Sequence, residues 1–216
     1  MTARRRRGLR LDRPTFVLGG VATALAAAVI GGEVARVWRR GSAPLPADAE
    51  EPLLAAAEAV AETAAVATTG YRDVSVRENA LFNLFTSFVV SFISVRTITT
   101  LLRDRSTVGP FRNLTVGRRH IHHFIPGIVM AFVAGSIAIG SRREGLDPWL
   151  AIPFGAGMGL TLDESALLLE LDDVYWSEEG ILSVQVALAA MAMLSAVALA
   201  TRFLRRGEQL VLPAER

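Results

Sequence analysis

Residues Gly155 to Trp176 read GAGMGLTLDESALLLELDDVYW, a stretch apolar enough to enter a membrane that nevertheless carries Asp163, Glu164 and Glu170. A carboxylate in hydrocarbon costs several kcal/mol unless it is neutralised, paired or metal-bound, so an intramembrane acid implies a partner elsewhere in the chain. Asp163 and Glu170 are spaced i, i+7 and project from one helix face, while Glu164 is rotated from Asp163 by about 100°.

The rest of the chain supports a membrane reading. With 51% hydrophobic residues, the 216-residue sequence is more apolar than a water-soluble domain requires. All 23 basic residues of the Lys+Arg class are Arg, which a GC-rich genome explains, so nucleic acid is not an expected partner. The net charge is only +2, and any basic effect must come from local clustering. The absence of Cys removes disulfides, thiol catalysis and thiolate metal sites.

Working outward from the opening stretch, the predicted fold is an all-α polytopic helix bundle of about five transmembrane spans plus one Ala-rich amphipathic helix. The first span, Pro14 to Gly32, follows a basic N-terminus holding Arg4 to Arg7, Arg10 and Arg13, and its length exceeds the apolar core of a signal peptide. Residues 1–40 are thus a basic segment and anchor. Residues 41–78 are a linker broken by Pro44, Pro46 and Pro52, with an Ala-rich helix over Leu53 to Thr69. Glu51, Glu58 and Glu62 form one stripe on it, which suits a membrane surface, a membrane-protein partner or plain solvent.

Residues 79–206 form the four-helix membrane core. Its spans are Ala80 to Leu102, interrupted by Arg96; Phe124 to Ser141; about Trp149 to Leu171; and Ile181 to Thr201. Residues 207–216 read as a disordered tail. The Gly155-x-x-x-Gly159 spacing permits close helix approach without specifying a function. Between the second and third spans lies RDRSTVGPFRNLTVGRRHIHH, and between the fourth and fifth an acidic loop holding Asp172, Asp173, Glu178 and Glu179.

Connectivity places these polar groups together. In a five-span topology the second exit, third entrance, fourth exit and fifth entrance share one side. At a rise of about 1.5 Å per residue, Arg96 lies about 9 Å from Leu102, Asp163 and Glu164 about 12 Å from Leu171, and Gln185 about 6 Å from Ile181. The basic and acidic loops then face one another, with Arg118 or Arg119 near Asp172 or Asp173. The six N-terminal Arg put that side in the cytoplasm.

Imidazoles and carboxylates together are a usual set for a divalent metal such as Zn, Mn, Fe or Mg. The expected ligands are His120, His122, His123, Asp163 and Glu170, with Glu164 as the catalytic acid or base. Arg96, Arg118 and Arg119 are the expected anion contacts, for anionic lipid headgroups or a lipid-linked substrate. The bland alternative is a structural ion pair between Arg96 and Asp163 or Glu164. A small proton- or ion-coupled transporter and a noncatalytic assembly subunit are the rival functions.

The stretches GRRHIHHFIPG and GLTLDESALLLELDDVYW resemble uncharacterised multi-pass integral membrane proteins of actinobacteria. The resemblance covers Ala80 to Thr201. It implies a cell-membrane location and no reaction, and it transfers no functional residue.

Overall fold

In the computed structural model, residues 13–45, 49–102, 123–141, 143–163 and 178–212 are described, with the backbone of residues 107–108, 111–112, 115–116 and 119–120. The helices are α1 (Arg13–Arg40), α2 (Pro52–Asp73), α3 (Val76–Leu102), α4 (Phe124–Ser141), α5 (Asp147–Asp163) and α6 (Glu178–Val211). A 3-10 turn, Glu144–Leu146, leads into α5. The only β-pairing among the described residues is two minimal antiparallel contacts, Thr107–Val108 with Phe111–Arg112 and Thr115–Val116 with Arg119–His120.

Four helical segments are long and apolar enough to cross a membrane: Phe16–Arg40, Val76–Thr99, Phe124–Ser141 and Val184–Val211. Phe16, Phe132, Ile139 and Met191 are exposed, which lipid accepts and water penalises. The predicted fourth span falls on α5, of which 17 residues are described. The remainder of its predicted length, Glu164 to Leu171, lies outside the described residues, so four candidate spans stand among the described residues.

Helix starts follow local chemistry. Pro52 occupies the first turn of α2, where its missing N–H is no loss. Ser75 and Glu78 form a capping box at α3: Ser75 Oγ and N donate to Glu78 Oε2 at 2.9 and 3.2 Å, and Glu78 N donates back to Ser75 Oγ at 3.3 Å.

The core of the fold is α5 wedged between α3 and α4. A Cβ added at Gly155 would collide with Leu84 and Ser87, and one at Gly159 with Ser91 and Phe88; Gly157 instead abuts Gly127 and Ala131 of α4. Glycines on two faces of one helix thus bring two neighbours into backbone contact. Asn83 Nδ2 donates to Pro148 O at 2.8 Å and Ser91 Oγ to Ala156 O at 3.1 Å. These positions advance together along both chains, so α3 and α5 run parallel.

The other half departs from the sequence reading. Hydropathy ends the first span at Gly32 and starts a tail at 207, yet α1 continues to Arg40 and α6 to Val211. At 34 residues, α6 is about 51 Å long at ~1.5 Å per residue, well beyond a ~30 Å hydrocarbon core. Its last turns pack with the end of α1 and with α2, the Ala-rich helix. Val37, Val66 and Leu204, one from each helix, form a buried cluster, and Tyr71, Phe82 and Phe203 meet edge to face. The Ala-rich helix is therefore an internal packing partner, with Ala55, Ala59, Val66 and Gly70 buried. Of its acidic stripe, Glu62 accepts from Ser42 N at 2.9 Å just past α1.

Gly207 sets the α2–α6 approach, because a Cβ there would overlap the backbone of Val66. In an open helix Gly→Ala stabilises by about 1 kcal/mol. Gly207→Ala is expected to destabilise instead, by about 1–3 kcal/mol as overpacking does. Gly20→Ala, with open space around the new methyl, should be neutral or stabilising. Thermal unfolding of the two variants in detergent checks the contrast.

Candidate functional site: a polar cluster at one end of the bundle

Four helices each deliver one group to the same place. Arg96 comes from the last turns of α3, His123 from the residue preceding α4, Asp163 from the end of α5 and Gln185 from the start of the α6 span. Asp163 is the centre, with its side chain only 3% exposed. Arg96 Nε lies 2.6 Å from Asp163 Oδ1, and His123 Nε2 lies 3.0 Å from Oδ2. Each carboxylate oxygen thus faces a nitrogen from a different segment, the Arg96 Nε contact being an ion pair without hydrogen-bond alignment, and both neutralise or partner the buried acid.

The backbone is drawn in as well. Gln185 Nε2 donates to Leu162 O at 2.6 Å and Asp163 O at 3.3 Å, while its Oε1 accepts from an Arg96 terminal nitrogen at 2.6 Å. The same nitrogen donates to Asp163 O at 3.1 Å. The guanidinium also stands 5.7 Å from the centroid of Phe92, within reach of a cation–π contact. Gln185 links α6 to α5 and α3 at one point, and Phe92 supports Arg96 from one turn below.

The electrostatics are asymmetric. The Asp163 carboxylate is buried, whereas Arg96 and His123 have 33% and 22% of their side chains exposed. The cluster therefore buries its anion more deeply than the Arg96 cation.

Of the residues predicted for the site, the structure brings together Arg96, His123 and Asp163. His120 and Arg119 are placed by backbone only, in a strand pair. Arg118, His122, Glu164 and Glu170, and the predicted meeting of Arg118 or Arg119 with Asp172 or Asp173, lie outside the described residues. Among the described residues no group of three His, Asp or Glu is arranged to hold a metal ion. Of the predicted metal ligands, only His123 and Asp163 have described side chains.

A second polar network was not foreseen. Glu208, with 3% of its side chain exposed, accepts from Arg36 at 2.8 Å and Arg40 at 3.0 Å. Glu33 pairs with Arg36 and lies 3.4 Å from Arg205. The available signal was Glu33 with Arg36 at i, i+3, the spacing of a helix continuing past its apolar run. It stands at the opposite end of the bundle from Asp163, because α1 and α6 run parallel: Gly19 contacts Val186, and Arg36 contacts Glu208.

No family model, curated protein or solved structure matches the chain.

Replacing Asp163 with Asn keeps volume and most hydrogen bonding but leaves Arg96 without its counter-ion. The expected loss is about 1–3 kcal/mol of stability, below the full cost of breaking a buried pair because Arg96 is partly exposed. Adding Arg96→Gln should recover part of that loss, giving a favourable coupling in a double-variant cycle. Additive losses in thermal unfolding would show that the two groups do not sense each other.

Proposed function

We propose that the protein is a five-span integral membrane protein of the cell membrane whose Arg96–His123–Asp163–Gln185 cluster recognises an anionic lipid headgroup or lipid-linked substrate. One observation carries this reading: the cluster buries its anion more deeply than its cation, with Arg96 at 33% and Asp163 at 3% exposure. A guanidinium held by a carboxylate and an amide is pre-organised, so little rotamer freedom remains to be lost when an anion binds. Arg118 and Arg119, from the same basic loop as His123, would supply further anion contacts. His123, oriented through Nε2, is the group placed to exchange a proton with a bound headgroup.

A second reading is a divalent-metal enzyme. It is favoured by His123 and Asp163 standing 3.0 Å apart, with His120, His122 and Glu170 as the remaining ligands and Glu164 as acid or base. It requires Arg96 to yield Asp163 to the ion. Stoichiometric Zn, Mn, Fe or Mg in purified wild type, lost in Asp163→Asn, would favour it over the headgroup reading.

The headgroup reading is tested with Arg96→Gln/Asp163→Asn, which removes both charges and leaves no uncompensated ion. Wild type is expected to retain phosphatidylglycerol about tenfold more than phosphatidylcholine in native mass spectrometry, a preference worth ~1.4 kcal/mol. The double variant should retain the two alike. Preference surviving in a folded double variant would remove the cluster from headgroup recognition.

The five-span count, in which α5 is the added crossing, is tested separately. An odd number of crossings places the ends of the chain on opposite sides, with the N-terminus cytoplasmic. Reporters fused before α1 and after α6 are expected to give opposite locations, and a shared side would reduce the count to four.

A further inference from the structure

Beside the polar cluster, α5 and α6 both pack on α3 and leave a cavity of about 270 Å³ between them. Leu84, Phe88, Met158, Leu162, Leu188 and Met191 line it. Three chain paths connect it to the cluster. On α6, Leu188 is one turn from Gln185. On α5, Leu162 precedes Asp163 and its carbonyl accepts from Gln185 at 2.6 Å. On α3, Phe88 stacks with Phe92 at 6.3 Å, and Phe92 carries Arg96. The apolar cavity and the polar cluster are thus consecutive along the same three helices.

We infer that this cavity is a slot for one hydrocarbon chain of the amphiphile whose anionic headgroup is held at Arg96 and His123. The inference rests on the headgroup reading above and adds the other end of the ligand. Met158, Leu188 and Met191 are substantially exposed, and they belong to helices with lipid-facing apolar surfaces, so the slot opens sideways to the bilayer. Its chemistry favours a chain over a polar solute, because the lining is aliphatic, thioether and aromatic except for Ser195, whose hydroxyl donates to Met191 O at 2.8 Å. Methionines at the mouth adapt their shape to a flexible chain. Length also matches: Leu84 to Arg96 spans three helical turns, about 18 Å at ~1.5 Å per residue. A lipid entering laterally thereby lays its tail along α3 and reaches the guanidinium with its phosphate.

The experiment uses the full chain in detergent with phosphatidylglycerol and phosphatidylcholine of identical chains, counted by native mass spectrometry. Ala192→Phe, at a buried wall position of the cavity, fills the slot without touching the cluster. Retained phosphatidylglycerol is expected to fall about tenfold, with thermal unfolding within a few degrees of wild type. Leu188→Trp, at a part-exposed wall position, takes its place if Ala192→Phe does not fold. Wild-type retention of phosphatidylglycerol in a folded, slot-filled variant overturns the slot and leaves the headgroup reading intact. Equal retention of both lipids by wild type, lost alike on filling, keeps the slot and overturns the headgroup reading. Retention of neither lipid by wild type, or occupation of the cavity by a second copy or another protein, overturns the inference.

Discussion

The arrangement depends on neutralising one carboxylate inside an apolar bundle. Asp163 is buried where four helices converge, and Arg96 and His123 each take one of its oxygens. A buried ion pair adds little net stability relative to apolar packing of equal volume, while breaking one is expensive. Its main effect is therefore on register. Arg96 meets Asp163 only in the alignment of α3 and α5 that also seats Ser87 against Gly155 and Ser91 against Gly159. A slip of one residue would rotate the small residues off the interface and leave a charge in hydrocarbon, so packing and electrostatics select the same alignment.

The opposite end obeys the same rule with a different solution. There α1 and α6 run past the length that a bilayer needs, and Glu33, Arg36, Arg40, Arg205 and Glu208 pair across them. The Ala-rich α2 covers this extension, its Gly70 and Gly207 of α6 bringing the two backbones into contact. The buried alanines and Gly70 of α2 serve close approach. The two ends differ in what they show to a ligand: the Glu208 network turns a buried acid toward several arginines, whereas the Asp163 cluster sits beside an apolar cavity.

The sequence made some of this legible, and physics explains the remainder. Apolar runs separated by charge located the spanning segments, and the cost of a buried acid identified Asp163 as needing Arg96 or a His. Connectivity put His123 at the same end as Asp163 but could not give their contact, since that depends on the angle at which the chain enters α4. The extensions of α1 and α6 were hidden because hydropathy stops at the first charges, Glu33 and Arg202. Those charges are tolerated through partners far away in sequence: Glu33 finds Arg205, and Arg202 finds Glu78 at 2.7 Å. Such pairings have no local signature. Gly70 and Gly207, isolated in their helices, carried none either.

Asn83, Ser87 and Ser91 form an i, i+4, i+8 polar line on α3 leading toward Arg96, which at first sight is a route for protons or ions across the bundle. The contacts argue against that use. Asn83 and Ser91 donate to α5 carbonyls at 2.8 and 3.1 Å, and Gly155 and Gly159 stand so close that even a methyl group has no room. Hydroxyls committed to backbone carbonyls in a closed interface act as glue between helices. A cavity lies instead on the α6 side of α3, where the walls are apolar but for Ser195. Among the described residues this polar line and this cavity thus lie on different sides of α3, and the cavity walls continue along α3, α5 and α6 to the Asp163 cluster. Transport needs both along one continuous path, whereas the amphiphile proposed above, divided into a charged head and an apolar tail, would use the two side by side.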